Sequence, residues 1–147
     1  MIECRKMSKA YSIRLLQTTD FQRYYPLINE FRATTFTETE FIEYMNALPS
    51  NIHIWVIEYE GKLVATTTVI YEPKLIFNRC TFAHIEDVCV LKEYQKHGFG
   101  SILIQHVIQQ AKEQKCYKAT LVCNESVMPF YLKNNFEKRG FQCSMLL

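Results

Sequence analysis

The first part of the chain changes from an alternating to a helical hydrophobic pattern. Residues 11–17 (YSIRLLQ) alternate apolar and polar positions and predict a first strand. Asp20 then suits the N-cap of a helix, because aromatic and aliphatic residues recur after it at helical spacing. Pro26 should split or bend this helix, since proline has no amide proton for the helical hydrogen bond. The predicted apolar face consists of Phe21, Tyr24, Tyr25 and Ile28.

A capping-box pattern predicts a second helix. Thr37 is followed three residues later by Glu40, the spacing at which each side chain can accept a hydrogen bond from the other residue's amide. Pro49 and Ser50 should end this helix. Its predicted apolar face consists of Phe41, Tyr44, Met45 and Leu48.

Two β-rich runs predict a hairpin in the middle of the chain. Residues 53–73 carry strand-forming side chains on both sides of Glu60-Gly61-Lys62, where the glycine permits a tight turn. Residues 81–91 (TFAHIEDVCVL) predict a further strand, which contains two adjacent carboxylates.

The second half of the chain continues with a helix and another strand. Residues 101–114 repeat apolar side chains at the i, i+3, i+4, i+7 spacing of one helix face. Residues 118–123 (KATLVC) predict the strand that follows. The apolar helix face consists of Ile104, Val107, Ile108 and Ala111.

A short helix and a last strand are predicted near the end of the chain. Ser126 is expected to cap the helix, with Pro129 in its first turn, where an amide has no intrahelical partner. Asn134 and Asn135 should end it, because asparagine enters the left-handed region more easily than most residues. Residues 136–147 then predict a final strand or hairpin.

This order of elements predicts an α/β (α+β) fold. A three-strand meander followed by a β-α-β unit requires a mixed central sheet, partly antiparallel and partly parallel, with helices on both faces. The chain has 147 residues and no internal repeat or linker-like stretch, so we expect a single domain over residues 1–147.

Composition and charge exclude several classes of protein. Seventeen Lys and Arg against fifteen Asp and Glu leave a net charge of +2, too small to indicate nucleic-acid or membrane binding. No apolar run reaches the roughly 18 residues of a membrane span. Residues 1–10 contain no apolar signal-peptide core, which favours a cytoplasmic location.

The six cysteines are spaced unlike a metal site, because no two of them form a C-x-x-C pair. We therefore expect no metal. A disulfide framework is the alternative, but we favour reduced and mostly buried thiols. The cysteines are Cys4, Cys80, Cys89, Cys116, Cys123 and Cys143.

A glycine-containing stretch, residues 95–100 (QKHGFG), separates the predicted strand 81–91 from the helix 101–114. It is not a P-loop, and Leu103 stands where a dinucleotide fingerprint requires a third glycine. A structural turn is one interpretation. The other is an anion site, because free amides at a helix start attract negative charge and glycine lets a ligand approach them.

The same stretch resembles the Q/R-x-x-G-x-G/A motif of the GNAT superfamily of N-acetyltransferases, in sequence and in its position between a strand and a helix. The resemblance implies a GNAT fold and acetyl-CoA as co-substrate, with the loop amides on the pyrophosphate and the preceding strand on the pantetheine arm. The implied cofactor-binding residues are Val88, Cys89, Val90, Gln95, Lys96, His97, Gly98, Phe99, Gly100 and Ser101.

Further segments resemble the amino-sugar branch of that superfamily, the eukaryotic glucosamine-6-phosphate N-acetyltransferases. These are HIEDVCV (84–90), CYK (116–118), EPKLIF (72–77) and the FY pair (130–131). The chain departs from this branch where Val122 replaces an acidic residue and Val127 an asparagine, and where the CSMLL tail lacks a basic residue.

The resemblance implies direct acetyl transfer to an amine in a ternary complex. Glu86 is the candidate base, through a water, with a structural ion pair as the alternative role. Strand period places Asp87 on the opposite face, but a bulge near residues 88–90, which the resemblance implies, would bring both carboxylates to the site. Asp87 would contact substrate or support the strand, and Tyr131 would stabilise the departing thiolate or remain a core residue.

The acceptor implied by the resemblance is glucosamine 6-phosphate, which would give N-acetylglucosamine 6-phosphate for UDP-GlcNAc biosynthesis. Another amine acceptor of a GNAT enzyme, or a non-catalytic CoA-binding module, remains open. The resemblance also implies a homodimer joined by the C-terminal strand, which would otherwise expose an unpaired edge. Residues that match substrate-binding positions, with Arg32 as a weaker candidate, are Lys74, Glu86, Asp87, Tyr117, Lys118 and Arg32.

Covalent catalysis is a further alternative. Cys89 and Cys123 could in principle be acylated, but neither has a neighbouring histidine in the sequence to activate the thiol. Direct transfer needs no such intermediate, so we favour it.

Overall fold

A mixed sheet forms the centre of the protein in the computed structural model, which describes residues 10–147. The strand order is β1-β2-β3-β4-β5, with antiparallel pairing from β1 to β4 and parallel pairing between β4 and β5. This confirms the predicted meander followed by a β-α-β unit. The strands are β1 (Tyr11–Leu15), β2 (Ile52–Tyr59), β3 (Lys62–Pro73), β4 (Thr81–Val90) and β5 (Lys118–Thr120).

Helices cover both faces of the sheet, as predicted. On one face, buried residues of α1 and α2 pack with those of β2 and the end of β4. On the other face, α4 and α5 pack with β3 and β4. The helices are α1 (Phe21–Phe31), α2 (Glu38–Ala47), α3 (Ile76–Arg79), α4 (Phe99–Glu113) and α5 (Met128–Lys133), with 3-10 turns at Thr18–Asp20, Lys92–His97 and Glu125–Val127.

Asp20 precedes α1 as predicted, but its side chain does not cap the helix. It is fully buried and accepts hydrogen bonds from Arg14, Arg23 and the Gln17 amide. Burial alone would raise the pKa of Asp20, but these hydrogen bonds hold it below its usual value. The carboxylate therefore joins β1 to α1, and α1 continues through Pro26 instead of splitting there.

Thr37 and Glu40 form the predicted capping box at the start of α2. The Glu40 amide donates to Thr37 Oγ1 over 3.2 Å, and the Thr37 amide donates to Glu40 Oε2 over 2.7 Å. The helix ends at Ala47, before Pro49 and Ser50, as predicted.

Replacing Thr37 with alanine should lower the free energy of unfolding by about 1 kcal/mol, because an N-terminal amide loses its side-chain acceptor. Urea denaturation of both proteins would measure the difference. Thr39→Ala is the matched control, since Thr39 is exposed in the first turn of the same helix and alanine is a better helix former. An equal loss in both variants would contradict the capping role.

The hairpin between β2 and β3 also matches its prediction. Glu60 and Gly61 connect the strands with φ angles of 52° and 76°. Two successive positive φ angles are those of a type I′ turn, which follows the twist of the strands.

Several boundaries in the second half differ from the predictions. The helix α4 begins at Phe99 instead of residue 101, because Gly98 takes the left-handed conformation that starts it. The strand β5 ends at Thr120 instead of residue 123. Ser126 lies inside a 3-10 turn and caps nothing, whereas Pro129 is in the first turn of α5 as predicted. Asn135 is left-handed at the helix end, with φ of 66°.

The predicted final strand is wrong: residues 137–147 form no strand within the described chain and are exposed. A strand needs a neighbouring edge, and the short β5 offers few backbone groups for pairing. The expectation of mostly buried thiols is also wrong, because Cys89 is the one buried cysteine among residues 10–147. Cys4 lies outside the described residues.

Candidate active site

A gap opens between β4 and the edge strand β5. Their pairing ends where His84 lies opposite Thr120, although β4 continues to Val90. The Leu91 amide points to β3, where it donates to the carbonyl oxygen of Val64. Because backbone groups alternate along a strand, those of Val90 face the gap, and those of Cys89 face β3. Unpaired backbone groups of β4 are therefore available to a ligand in this gap.

Gln95 fixes the segment that follows β4. Its side-chain amide donates to the carbonyl oxygen of Val90 over 3.2 Å. Lys96 and His97 are exposed in the same 3-10 turn, and the His97 ring stacks on Phe99 at 5.9 Å between centroids. Phe99 itself is fully buried, so it can offer a ligand its amide but not its ring.

The N-terminus of α4 opens beside the gap. The first helical hydrogen bond runs from the Ile102 amide to Gly98, which leaves the amides of Phe99, Gly100 and Ser101 without intrahelical acceptors. These free amides carry the positive end of the helix dipole. With Lys96 and His97 just before it, this helix start is a candidate anion site.

Glycine is required at positions 98 and 100 of the loop for two different structural reasons. Gly98 has φ of +81°, and a Cβ built on it would meet no atom within 4 Å. A Cβ on Gly100 would instead lie 3.1 Å from the Phe130 ring. Gly98 thus shapes the turn and leaves open space at the start of α4, whereas Gly100 permits α5 to pack closely on α4. The sequence interpretation assigned both glycines to the ligand.

Helix α5 lies against the gap. Tyr131 is buried in the core cluster against which Val88 also packs. Burial, with a smaller contribution from Cys123, raises the pKa of Tyr131 to about 12. The Asn134 amide donates to Ser101 Oγ over 3.1 Å, which joins the end of α5 to the first turn of α4. Sequence reasoning missed this role of Asn134, since it assigned the residue only to ending the helix.

A β-bulge in β4 carries the two predicted carboxylates. Glu86 lies opposite Thr68 and Cys89 opposite Thr66, so an extra residue is present between them. Asp87 has φ of 50°, and Thr67 Oγ1 donates to the Glu86 carbonyl over 2.9 Å. Both carboxylates are exposed, and neither forms an ion pair with any residue from 10 to 147. The bulge was expected near residues 88–90 and starts slightly earlier.

Asp87 also borders a cavity of about 570 Å³ between α1, α2 and the sheet. Arg32 lines the same cavity, so the structure groups this candidate with Asp87 and not with the other basic candidates. Burial, together with the Asp87 charge, raises the pKa of Tyr24 to about 12, although Thr66 opposes the shift. Aromatic rings contribute much of the wall: Tyr24, Phe31, Phe36, Phe41 and Tyr44.

The remaining three candidates surround the ring of Phe82. The Nζ atoms of Lys74 and Lys118 lie 5.2 Å and 4.5 Å from its centroid, and Tyr117 stacks on Phe77 beside it at 4.5 Å. We call these five residues the Phe82 cluster. It presents two ammonium groups and an exposed phenol, which suit a phosphate group.

Glu72 and His84 adjoin this cluster and were not predicted. Glu72 pairs with Lys74 over 2.5 Å and with His84, and these hydrogen bonds hold the pKa of Glu72 below its usual value. Phe82, His84 and Glu86 alternate along β4 on one face of the sheet. That period-two alternation was the sequence signal that could have found Phe82 and His84. About 13 Å separates Phe82 from Glu86 at roughly 3.3 Å per residue.

Cys89 does not face the gap. Its thiol is buried against α1 and donates to the carbonyl oxygen of Leu27 over 3.8 Å, and burial raises the pKa of Cys89 to about 11. A buried, protonated thiol is a poor nucleophile, which argues against covalent catalysis at this residue. Val122 and Val127, where the chain departs from the amino-sugar branch, are both exposed.

Residues 10–147 lack the features of two other kinds of site. They contain no group of three or more His, Cys, Asp or Glu side chains able to hold a metal ion. No helix in this part of the chain has the length and apolar character needed to cross a membrane.

Comparisons with known proteins agree with this geometry. The profile of the Acetyltransferase (GNAT) family matches residues 13–136. The chain is 31% identical to glucosamine 6-phosphate N-acetyltransferase of Candida albicans, over 92% of this chain and 95% of that protein. It is 30% identical to glucosamine 6-phosphate N-acetyltransferase 1 of Dictyostelium discoideum, over 92% of this chain and 90% of that protein.

A solved structure supports the same grouping. Glucosamine-6-phosphate N-acetyltransferase from Arabidopsis thaliana superposes with a TM-score of 0.89 at 28% identity, covering 94% of this chain and 99% of that one. The chain belongs to the GNAT family of acetyltransferases.

Proposed function

We propose that this protein transfers the acetyl group of acetyl-CoA to the amine of glucosamine 6-phosphate, giving N-acetylglucosamine 6-phosphate. One observation carries the choice of acceptor. Phe82, the centre of the Phe82 cluster, and Glu86 lie about 13 Å apart on β4. The cluster therefore offers cations to a phosphate at one end, and the Glu86–Asp87 pair offers carboxylates to an amine at the other. The names of the relatives support the same acceptor.

The gap and the α4 start fit the co-substrate. Three free amides, the open space above Gly98, and Lys96 and His97 suit a pyrophosphate. The backbone groups of Val88 on the gap side suit the amides of a pantetheine arm. The Val90 carbonyl already accepts from Gln95, which leaves the Val90 amide for the thioester. Bound acetyl-CoA would supply an activated acetyl thioester.

The chain's own residues have four tasks in the transfer. Glu86 takes a proton from the substrate ammonium through a water, while Asp87 holds the amine in place. The Val90 amide polarises the thioester carbonyl, a role its orientation suits better than that of the Cys89 amide. Tyr131 donates its hydroxyl proton or hydrogen bond to the departing sulfur.

Replacing Tyr131 with phenylalanine should lower kcat about tenfold, the effect of losing one hydrogen bond of about 1.5 kcal/mol to developing charge. Because the pKa of Tyr131 is about 12, above the ordinary value of 10, its hydroxyl stays protonated at neutral pH. The kcat of the parent should therefore show no decline from tyrosine ionisation near pH 10. Tyr11→Phe, on the exposed strand β1, is the control and should leave kcat unchanged.

An acceptor screen with acetyl-CoA as donor, read by release of the CoA thiol, tests the proposed function. We expect turnover with glucosamine 6-phosphate and much less with glucosamine, since the Phe82 cluster would lack its phosphate. Turnover of a polyamine or peptide without turnover of the sugar phosphate would overturn the acceptor. The second candidate function is an acetyltransferase for another amine. It is favoured by the departures from the amino-sugar branch at Val122, Val127 and the tail.

A third candidate is a CoA-binding protein without catalysis. Acetyl-CoA would then raise the melting temperature while no amine was consumed. Glu86 is exposed and forms no ion pair with residues 10–147, which favours catalysis over this alternative, because an ion-paired carboxylate would have had a structural role.

The assembly and setting belong to the same proposal. One N-acetyltransferase domain spans residues 1–147 and acts in the cytoplasm, in the synthesis of UDP-GlcNAc. It forms a homodimer in which the C-terminal segments cross between subunits, since that segment exposes Phe141, Met145, Leu146 and Leu147. Sedimentation of the full chain should give a dimer that Phe141→Asp weakens. A monomer at micromolar concentration would contradict it.

A further inference from the structure

Two cysteines occupy matching positions at the starts of adjacent parallel strands. Cys80 immediately precedes β4, and Cys116 lies two residues before β5. Phe82 pairs with Lys118, and the Tyr117 amide donates to the carbonyl oxygen of Thr81 over 2.9 Å. Continuing this register by one further residue places Cys80 beside Cys116. At the usual strand spacing of about 4.8 Å, their Cα atoms fall within the roughly 4.4–6.8 Å that a disulfide spans.

Both thiols are free and only partly buried. Burial, and in addition the neighbouring Cys80 sulfur, raise the pKa of Cys116, which agrees with their closeness. Cys89 differs, because it is buried against α1. Cys80 and Cys116 are therefore a thiol pair within reach of small reagents.

The pair is joined directly to the Phe82 cluster. The Lys74 amide donates to the carbonyl oxygen of Cys80 over 2.8 Å. Cys116 is followed by Tyr117 and Lys118 in sequence. We propose that Cys80 and Cys116 form a reversible disulfide that acts as a redox switch on the acceptor end of the site. The effect on substrate, though not the disulfide itself, rests on the proposed function.

The oxidant we assign is a low-molecular-weight disulfide such as oxidised glutathione. One cysteine thiolate attacks it, forming a mixed disulfide and releasing one glutathione thiolate. The second cysteine thiolate then attacks the protein sulfur of that mixed disulfide and releases the second glutathione. Two electrons pass to the oxidant, and the two protons lost by the cysteines are taken up by the released thiolates.

The cross-link would change the position of both lysines of the cluster. A disulfide requires a particular torsion and sulfur spacing, so the first residues of β4 and β5 must adjust toward each other. Lys74 and Lys118 would move with these residues. The Lys74 amide is hydrogen-bonded to Cys80, and Lys118 is two residues after Cys116 in the chain. We expect a several-fold higher KM for glucosamine 6-phosphate and an unchanged KM for acetyl-CoA, since the gap and the α4 start lie further along β4.

The experiment uses the full chain equilibrated in glutathione buffers of increasing oxidised fraction. Peptide mapping without reduction should find Cys80 linked to Cys116, with the loss of two hydrogen masses. Cys80→Ser and Cys116→Ser should each abolish the link, and the matched control Cys123→Ser should keep it. Only mixed disulfides with glutathione, or links between chains through Cys143, would overturn the proposal.

Kinetics test the switch separately from the link. A rise in the acceptor KM that a reductant reverses, and that Cys80→Ser prevents, would support it. A mapped disulfide with an unchanged acceptor KM would overturn the regulatory role. Peptide mapping requires no turnover. A protein with no activity toward the sugar would therefore contradict the proposed function, while the mapping result would still decide whether the disulfide forms.

Discussion

Replacing Glu86 with glutamine is expected to lower kcat by about 10²- to 10⁴-fold, the usual contribution of a general base. The amide keeps the shape of the side chain and cannot accept the proton from the amine. Glu86 lies on the bulge of β4 with no ion pair to the described residues, so the substitution should leave the fold and acetyl-CoA binding unchanged. Steady-state kinetics and calorimetric titration with acetyl-CoA would measure the two effects.

Two comparisons make this result specific. Glu43→Gln removes the same charge from an exposed position on α2 and should retain full activity. Asp87→Asn should act mainly on the acceptor KM, because Asp87 positions the amine at the cavity under α1 and α2. Full activity of Glu86→Gln at neutral pH would show that another group is the base.

Replacing Gly98 with valine should weaken acetyl-CoA binding about 100-fold or more. The new side chain would enter the open space in front of the α4 amides and block the pyrophosphate. Loss of two charge-assisted hydrogen bonds of about 1.5 kcal/mol each gives this magnitude. Titration calorimetry with acetyl-CoA and with CoA would measure it.

Gly61→Val separates this effect from backbone strain. Gly61 also has a positive φ, +76°, and open surroundings, but it lies in the hairpin turn between β2 and β3. Both variants should lose about 1–2 kcal/mol of stability from a side chain at positive φ. Equal acetyl-CoA affinity in the two variants would contradict the anion site at Gly98.

The sequence predicted the meander, the hairpin and the capping box because each depends on neighbouring residues. The turn at Glu60-Gly61 and the reciprocal bonds of Thr37 and Glu40 need no distant partner. Predictions failed where tertiary contacts decide the outcome. Asp20 became a buried partner of two arginines instead of a helix cap, and the last twelve residues had too short an edge to pair with.

In the candidate site, too, the residues indicated by local sequence were predicted, and those that depend on tertiary contacts were not. A motif in one segment indicated the loop at residues 95–100, and two adjacent carboxylates indicated Glu86 and Asp87. The roles of Phe82 and Asn134 depend on contacts across the sheet and between helices, which spacing in the sequence does not encode. The packing requirement for glycine at position 100 likewise depends on Phe130 of α5, which distinguishes it from Gly98 only in the folded structure.

The short ladder between β4 and β5 has a consequence for local unfolding. Three residues of β5 pair with β4, so few hydrogen bonds join the antiparallel part of the sheet to the C-terminal part. Amide hydrogen exchange should therefore show β5 and α5 opening together at a lower free energy than β2 and β3. A pantetheine arm bridging the gap would slow this exchange, so co-substrate binding should be visible as protection of β5, far from the pyrophosphate itself.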